Sequence, residues 1–242
     1  MFDIISRLRP ITLDCFTTNV SVLEHYPVVK ANKMYPEWWK SLESTSVQPP
    51  DAKCPFSRTG PTIKVCDGFL DLYKTMITIP LWSDLMVKTD GNKGIYWHSA
   101  APDMKIEHHP VVQYNHPDFF NYCHMKILMP WLIEEKVGVN FQLFHSDWNM
   151  PANWFKYRIL GGVLNYKYQG GAHCNMMLPN IPAEFILPAG EPIMNLLPLT
   201  DRKVVIKTHL LGKTEYDQKQ SLISYPHTFM GRYKTSKKLR SK

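Results

Sequence analysis

Beyond residue 60 the chain is cut into short stretches in which apolar and polar residues alternate, and this alternation restricts its fold more than any other feature. Residues 62–66 (T-I-K-V-C), 76–79 (M-I-T-I) and 139–143 (V-N-F-Q-L) each send successive side chains to opposite faces, as half-buried strands do. The same reading predicts strands over 94–98, 111–114, 124–129, 131–134, 163–168, 184–187, 193–199 and 203–210. Short strands separated by turn residues, in a chain with 19 Pro and 12 Gly, argue for an all-β barrel or sandwich. Helical pattern is restricted to 117–122, 215–224 and a short segment over 35–42, where Pro36 suits a first helical turn. Trp38 and Trp39 cannot both face one core from such a helix, so one of them is expected to meet another surface.

Composition then narrows the class. A hydrophobic content of 44% against 20% charged residues fits a packed globular chain and excludes a disordered one. The net charge of +7 is concentrated at the C-terminus, where residues 232–242 hold Arg232, Lys234, Lys237, Lys238, Arg240 and Lys242 and no acid. The remaining 22 basic side chains almost balance the 21 acidic ones, so the body is nearly neutral. The tail reads as a solvated terminus that attracts phosphates, and hence nucleic acid, weakly and without sequence preference. Five cysteines at irregular spacing, with no C-x-x-C, argue against a disulfide framework and for a reducing compartment. The opening M-F-D-I-I-S-R-L-R-P lacks an apolar stretch after a basic start, and no run approaches the ~18 apolar residues of a membrane span. No secretory leader and no membrane partner are therefore expected, and a host-cell cytoplasm or a virion is the expected location.

Three pieces of the chain carry a resemblance. Residues 144–149 read F-H-S-D-W-N, 160–170 read L-G-G-V-L-N-Y-K-Y-Q-G, and 185–199 read F-I-L-P-A-G-E-P-I-M-N-L-L-P-L. In order and separation they resemble the core of dUTPase-like (β-clip) proteins, which carry a P-R-S-G-like loop, then G-V-I-D-x-D-Y-x-G, then I-x-x-G-x-R-I-A-Q-L-I. Gly162, Val163, Leu164, Tyr168 and Gly170 match the middle motif. Gly190, Ile193 and Leu196 match the last, with Asn195 where the family has Gln. Weaker support comes from residues 129–144, similar to the strand pair before the family's loop, and from G-F-L-D-L at 68–72, similar to its early G-Y-D-L. The resemblance implies a β-clip fold and trimers with sites at subunit boundaries. The chain also looks like phage-encoded proteins of unknown function that share P-x-W-W-K and A-G-x-P-I-x-x-L-x-P-L; that likeness implies a phage origin and no activity.

The departures from the family bear on chemistry. Its catalytic Asp is Asn165, its second Asp is Lys167, and its loop Arg is His145, with Ser146 retained. A nucleotide pyrophosphatase needs a carboxylate to take or orient the proton of the attacking water, and Asn165 cannot ionise. The family's Gly-rich C-terminal clamp is replaced by Met230-Gly231-Arg232-Tyr233 and the basic tail. Classical dUTPase activity is therefore not expected. A reworked ligand site would use Ser146, Asn165, Tyr168 and Asn195, whose amides and hydroxyls donate and accept hydrogen bonds.

Other signals are weaker. His98, His108, His109, His116 and His124 lie close in sequence, and His145-x-Asp147 with a distal His209 is similar to the H-x-D…H triad of iron(II) oxygenases. Scattered hydrogen-bonded histidines are the commoner outcome, so no metal and no cofactor are assigned. Trp148 and Trp154 flank a polar loop, where they either form a binding surface or fold back over the barrel mouth. Glu134 and Glu135 are neighbours on a strand and point to opposite faces, which argues against a two-carboxylate site.

The sequence thus predicts an all-β, dUTPase-like β-clip or barrel over residues 61–212. An irregular N-terminal arm (1–60) precedes it, and a C-terminal extension (213–242) with a short helix and the basic tail follows. The function it favours is a non-catalytic, phage-type structural or assembly protein that associates with itself, a trimer in the family's manner, and with other virion proteins. A nucleotide-binding or nucleotide-processing protein is the alternative, and a metal-dependent oxygenase a distant third.

Overall fold

The structure, a computed structural model, describes residues 9–47, 59–149 and 155–224. The first half runs β1 (Ile11–Thr17), α1 (Val20–His25), β2 (Val29–Lys30), α2 (Glu37–Lys40), β3 (Thr45–Val47), β4 (Thr59–Pro61), α3 (Asp67–Thr75), β5 (Ile77–Pro80), β6 (Leu85–Asp90), β7 (Ile95–Ser99) and β8 (Lys105–His109). The second half runs β9 (Tyr122–Glu135), β10 (Asn140–Phe144), β11 (Arg158–Ile159), β12 (Gly162–Asn165), β13 (Gly171–Pro179), β14 (Pro182–Leu187), β15 (Pro192–Pro198), β16 (Val204–Leu210) and α4 (Lys213–Ser224). Strand dominates, as the alternation predicts.

The strands form open sheets. The largest has the order β11-β13-β9-β1-β16, with β8 also on β9; the second is β12-β10-β15-β5-β2; a third is β14-β6-β7. The fourteen-residue β9 organises the first sheet. Its start is flanked by β8 and β13 and its end by β1 and β13. Odd-numbered residues of β9 such as Met125, Ile127, Met129, Trp131 and Ile133 are buried. They meet Ile11 and Leu13 of β1, Phe141 and Leu143 of β10, Ile193 and Leu196 of β15, and Val87 and Phe185 from the third sheet. Each fully buried side chain of this size contributes about 1.5–3 kcal/mol relative to exposure. The even-numbered residues of the first half of β9 face outward, which leaves a polar surface on that side of the sheet.

A second core holds the N-terminal segment to the body. Trp39 of α2 packs with Phe69 and Tyr73 of α3, Ala31 and Met76. Tyr35 stacks on Trp39 and Tyr73 at centroid separations of 4.1 and 4.8 Å. Trp38 packs against the edge of the same cluster, its ring 6.4 Å from Phe69, and donates its Nε1–H to the Trp148 carbonyl at 2.8 Å; contrary to expectation, both tryptophans meet one aromatic core, Trp39 from inside and Trp38 at its rim.

Several local expectations are corrected. Residues 1–60 are not an irregular arm throughout: β1 lies inside the largest sheet, parallel to β16 and antiparallel to β9. The predicted strand at 62–66 is a 3-10 turn over Ile63–Val65, followed by α3. The helix wins because Phe69, Leu70, Leu72 and Tyr73 recur at helical spacing and meet the aromatic core on one face. The G-F-L-D-L likeness at 68–72 therefore falls on a helix. Residues 111–114 form a 3-10 turn closed by Asn115 at φ 44°, a left-handed position that Asn tolerates. The helices expected near 117–122 and 215–224 are present, as a 3-10 turn over Pro117–Asn121 and as α4. Trp154 and the tail residues Arg232, Lys234, Lys237, Lys238, Arg240 and Lys242 lie outside the described residues. No helix among the described residues is long and apolar enough to cross a membrane.

Candidate functional site

The four positions expected to form a ligand site are separated into two pairs within one chain. Asn195 lies opposite Phe144 at one end of β10, and Asn165 lies opposite Asn140 at the other. Four strand residues place them on the order of 13 Å apart. Ser146 and Asn195 are joined directly: Asn195 Nδ2 donates to Ser146 Oγ, and that hydroxyl donates to the Pro192 carbonyl. Thr78 Oγ1 of β5 donates to Asn195 Oδ1 at 2.8 Å. Ser146 is 4% exposed and Asn195 and Thr78 1%, so this network sits in the interior between β5, β10 and β15.

Asn165 closes the turn after β12. Its Nδ2 donates to the Gly138 carbonyl at 3.0 Å and to Asn140 Oδ1 at 2.9 Å, and its Oδ1 accepts from the Lys167 amide at 3.2 Å. Tyr168 donates its backbone N–H to the Asn165 carbonyl in the same turn, with Lys167 Nζ 5.7 Å from the centre of its ring. Three of the four expected ligand groups therefore spend their hydrogen bonds on the scaffold.

The histidine-to-iron arrangement does not assemble. His209 Nε2 bonds Asp14 Oδ1 at 2.8 Å and its ring stacks on Phe16. His145 is buried, its Nδ1 accepting from the Ile159 amide at 3.3 Å, while Asp147 pairs with Arg158. Among the described residues no group of three or more His, Cys, Asp or Glu converges as a metal would need. Glu134 and Glu135 diverge as expected. Glu134 accepts from Lys219 Nζ at 3.0 Å, and Glu135 folds under the β9–β10 turn to accept from the amides of Gly138 and Val139 at 2.6 and 2.8 Å.

What the fold does bring together is a polar basin on the outer face of the largest sheet. The register sets Glu107 of β8 and Asn175 of β13 on either side of Lys126 of β9, and His109 beside His124. His173 follows two residues from Asn175 on the same face. The depression has a volume of ≈ 440 Å³ and is walled by Gln113 and Tyr114 on one side and by Leu160, Leu164 and Gln169 on the other. Tyr114 O–H donates to His124 Nδ1 at 2.8 Å and His124 Nε2–H donates to Asn175 Oδ1 at 3.1 Å, which assigns the Nε2–H tautomer. The His109 and His124 rings are 4.8 Å apart. Burial, aided by His109 and Lys126, holds the His124 imidazole below its ordinary value. Glu107 is held below the usual carboxylate range, first by its 2.9 Å bond from Lys126 and further by His173 and His109. Sequence proximity pointed to His109 and His124; His173 was missed, because β13 is brought alongside β9 from about fifty residues away.

A second cluster lies where β15 begins. Burial pushes the Glu191 carboxyl up to about 7, and burial, supplemented by the nearby Glu191 charge, raises the phenols of Tyr73 and Tyr157. Tyr157 meets His145 edge-on at 5.2 Å. Tyr73 O–H donates to Asn149 Oδ1 at 2.6 Å, and Trp148 rests on Phe69 at 5.3 Å while keeping 40% of its surface exposed. The P-E-W-W-K and A-G-E-P segments thus meet through Tyr73.

Comparison with known proteins yields no matching family model, no similar curated protein and no similar solved structure. The dUTPase-like resemblance rests on the motifs themselves.

Proposed function

We propose that the chain is a non-catalytic, self-assembling structural protein of the phage type, built on a dUTPase-like β-clip whose catalytic positions have become internal hydrogen bonds. The observation that carries this reading is the outer edge of β7. Among the described residues β7 pairs only with β6, so its other edge presents free N–H and C=O groups. Its sequence, I-Y-W-H-S, holds no Lys, Pro or acid, and Tyr96 is 58% exposed with Trp97 beside it at 36%. Monomeric proteins blunt such edges with charge, proline or a covering loop, because an open aromatic edge templates pairing with another chain. The adjoining depression adds apolar surface among its histidines. Val112 and Phe120, which share a depression with Ile95 of β7, are exposed, and Lys93 lies over the Phe120 ring. An apolar patch next to an open edge suits a second copy of this chain. The internal bonding of Ser146, Asn165 and Asn195 supports the non-catalytic half of the reading.

Light scattering on the eluting peak of a size-exclusion column tests it. At micromolar concentration the protein is expected to exceed the chain mass of 28.2 kDa, and the measured mass reads the number of copies directly. The Tyr96→Glu variant is expected to shift toward monomer with a nearly unchanged melting temperature, since Tyr96 is exposed and lies opposite Lys88 on the outer face, whereas Trp97 lies opposite the buried Val87. A wild-type monomer at every accessible concentration refutes the proposal.

A further inference from the structure

We propose that the basin on the outer face of β8, β9 and β13 is a pH-gated binding site for a tetrahedral oxyanion, with a phosphate group as its natural occupant. The lining makes the argument. Three imidazoles, of His109, His124 and His173, surround the single ammonium of Lys126, and the amides of Gln113, Gln169 and Asn175 add neutral hydrogen-bonding groups. The His173 ring lies over Gly171, where an added Cβ would meet its Nε2 at 2.4 Å, so the glycine makes room for this imidazole in the basin. The wall of Leu160 and Leu164 with the Tyr114 ring leaves room for an apolar group attached to the anion.

Charge decides when the site works. Lys126 is compensated by Glu107, so with neutral imidazoles the basin has almost no net charge. Each imidazole that gains a proton adds one positive charge to a partly buried space, where Coulomb attraction is screened less than at the surface. The titratable groups that face His124 are Lys126 on its own strand, Glu107 and His109 on β8, His173 on β13 and Tyr114 on the 3-10 turn. Lys93, His108 and Cys123 line the adjoining depression, which shares His109 and His124. Among these, Glu107 is the carboxylate; its Oε2 is bonded to Lys126 and lies 3.7 Å from His109 Nε2, so it offsets one positive charge of the cluster and leaves the further ones uncompensated. An oxyanion arriving below neutral pH therefore meets a cluster whose charge is positive and whose mutual repulsion it relieves.

The test uses calorimetric titration of the full-length protein at constant ionic strength. Sulfate is the first probe, because its charge does not change between pH 8.0 and pH 5.5. Saturable binding at pH 5.5, at least about tenfold tighter than at pH 8.0 and accompanied by proton uptake, is expected. His109→Asn and His173→Gln, each checked for an intact fold by circular dichroism, are each expected to weaken sulfate binding at pH 5.5 by about tenfold. His109 is on the rim and is the variant with least risk to folding. Phenyl phosphate against inorganic phosphate then identifies the source. Tighter binding of the ester assigns an organic phosphate that uses the leucine wall, and equal binding assigns a free anion. No saturable sulfate binding at pH 5.5, equal affinity at the two pH values, or wild-type affinity in both folded variants overturns the proposal.

Discussion

Removing the Ser146 hydroxyl decides whether Ser146 and Asn195 serve the scaffold or a ligand. In Ser146→Ala the Asn195 Nδ2–H group and the Pro192 carbonyl lose their shared partner, in a place where Ser146 is 4% and Asn195 1% exposed. A buried donor left unsatisfied costs about 1–3 kcal/mol, and the loss of an ordinary bond to a carbonyl about 1 kcal/mol. The small apolar gain of Ala does not offset these, so the expected destabilisation is about 2–4 kcal/mol. Against a typical total of about 5–15 kcal/mol that is a large fraction, and it lowers the melting temperature by roughly 5–15 °C for a chain of this size. Urea denaturation followed by tryptophan fluorescence measures it, with an unchanged slope showing that the folded and unfolded states are otherwise the same. Asn195→Ala alone, and combined with Ser146→Ala, completes a double-mutant cycle. Because the two groups share one bond, the double variant is expected to cost at least 1 kcal/mol less than the sum of the singles, a difference of about the size such cycles find for contacting residues. A Ser146→Ala cost below about 0.5 kcal/mol would refute the structural assignment. It would return Ser146 and Asn195 to the pool of residues available for binding.

Two further outcomes are expected. Because the Glu191 carboxyl is raised to about 7 in the folded protein from 4.5, the folded state holds that proton more tightly than the unfolded chain. Its contribution to stability is complete below pH 4.5 and is lost as pH rises to about 7. Melting curves across that window should show the decline, and Glu191→Gln should flatten it. Deleting residues 234–242 removes five of the six tail charges, and is expected to abolish salt-sensitive, sequence-independent binding to nucleic acid in a filter assay. The melting temperature should stay within a degree or two; a fall of several degrees would mean that the tail packs against the body.

The alternation at 139–143 marks β10 because a strand with one buried face writes its period of two directly into the chain, whereas β5 and β15, also expected as strands, are buried on both faces and are marked by their short, largely apolar runs. The short helix with Trp38 and Trp39 was legible from Pro36 at its start, but the expected divergence of the two rings was not met, because the cluster around Phe69 is broad enough to take both. The diverging carboxylates of Glu134 and Glu135 were legible too. Where local period was ambiguous, at 62–66 and 111–114, short apolar runs fit either strand or turn, and the aromatic core around Phe69 and the left-handed Asn115 settled them.

The partners of those elements were another matter. β1 lies in a segment expected to be an irregular arm although its I-T-L-D-C pattern alternates, and its pairing with β16, some 190 residues later, and with β9 makes it an inner strand. Ser146, Asn195 and Thr78 form one network because β10, β15 and β5 are neighbours in a sheet. His173 joins His109 and His124 because β13 and β8 flank β9, and the A-G-E-P turn carries Glu191 into a partly buried place beside the aromatic core. Periodicity specifies which face of each segment is apolar, a property of neighbouring residues. Which segment lies beside which is decided by how all those faces are covered at once, and the chemistry of a site made from several strands depends on that second, non-local choice.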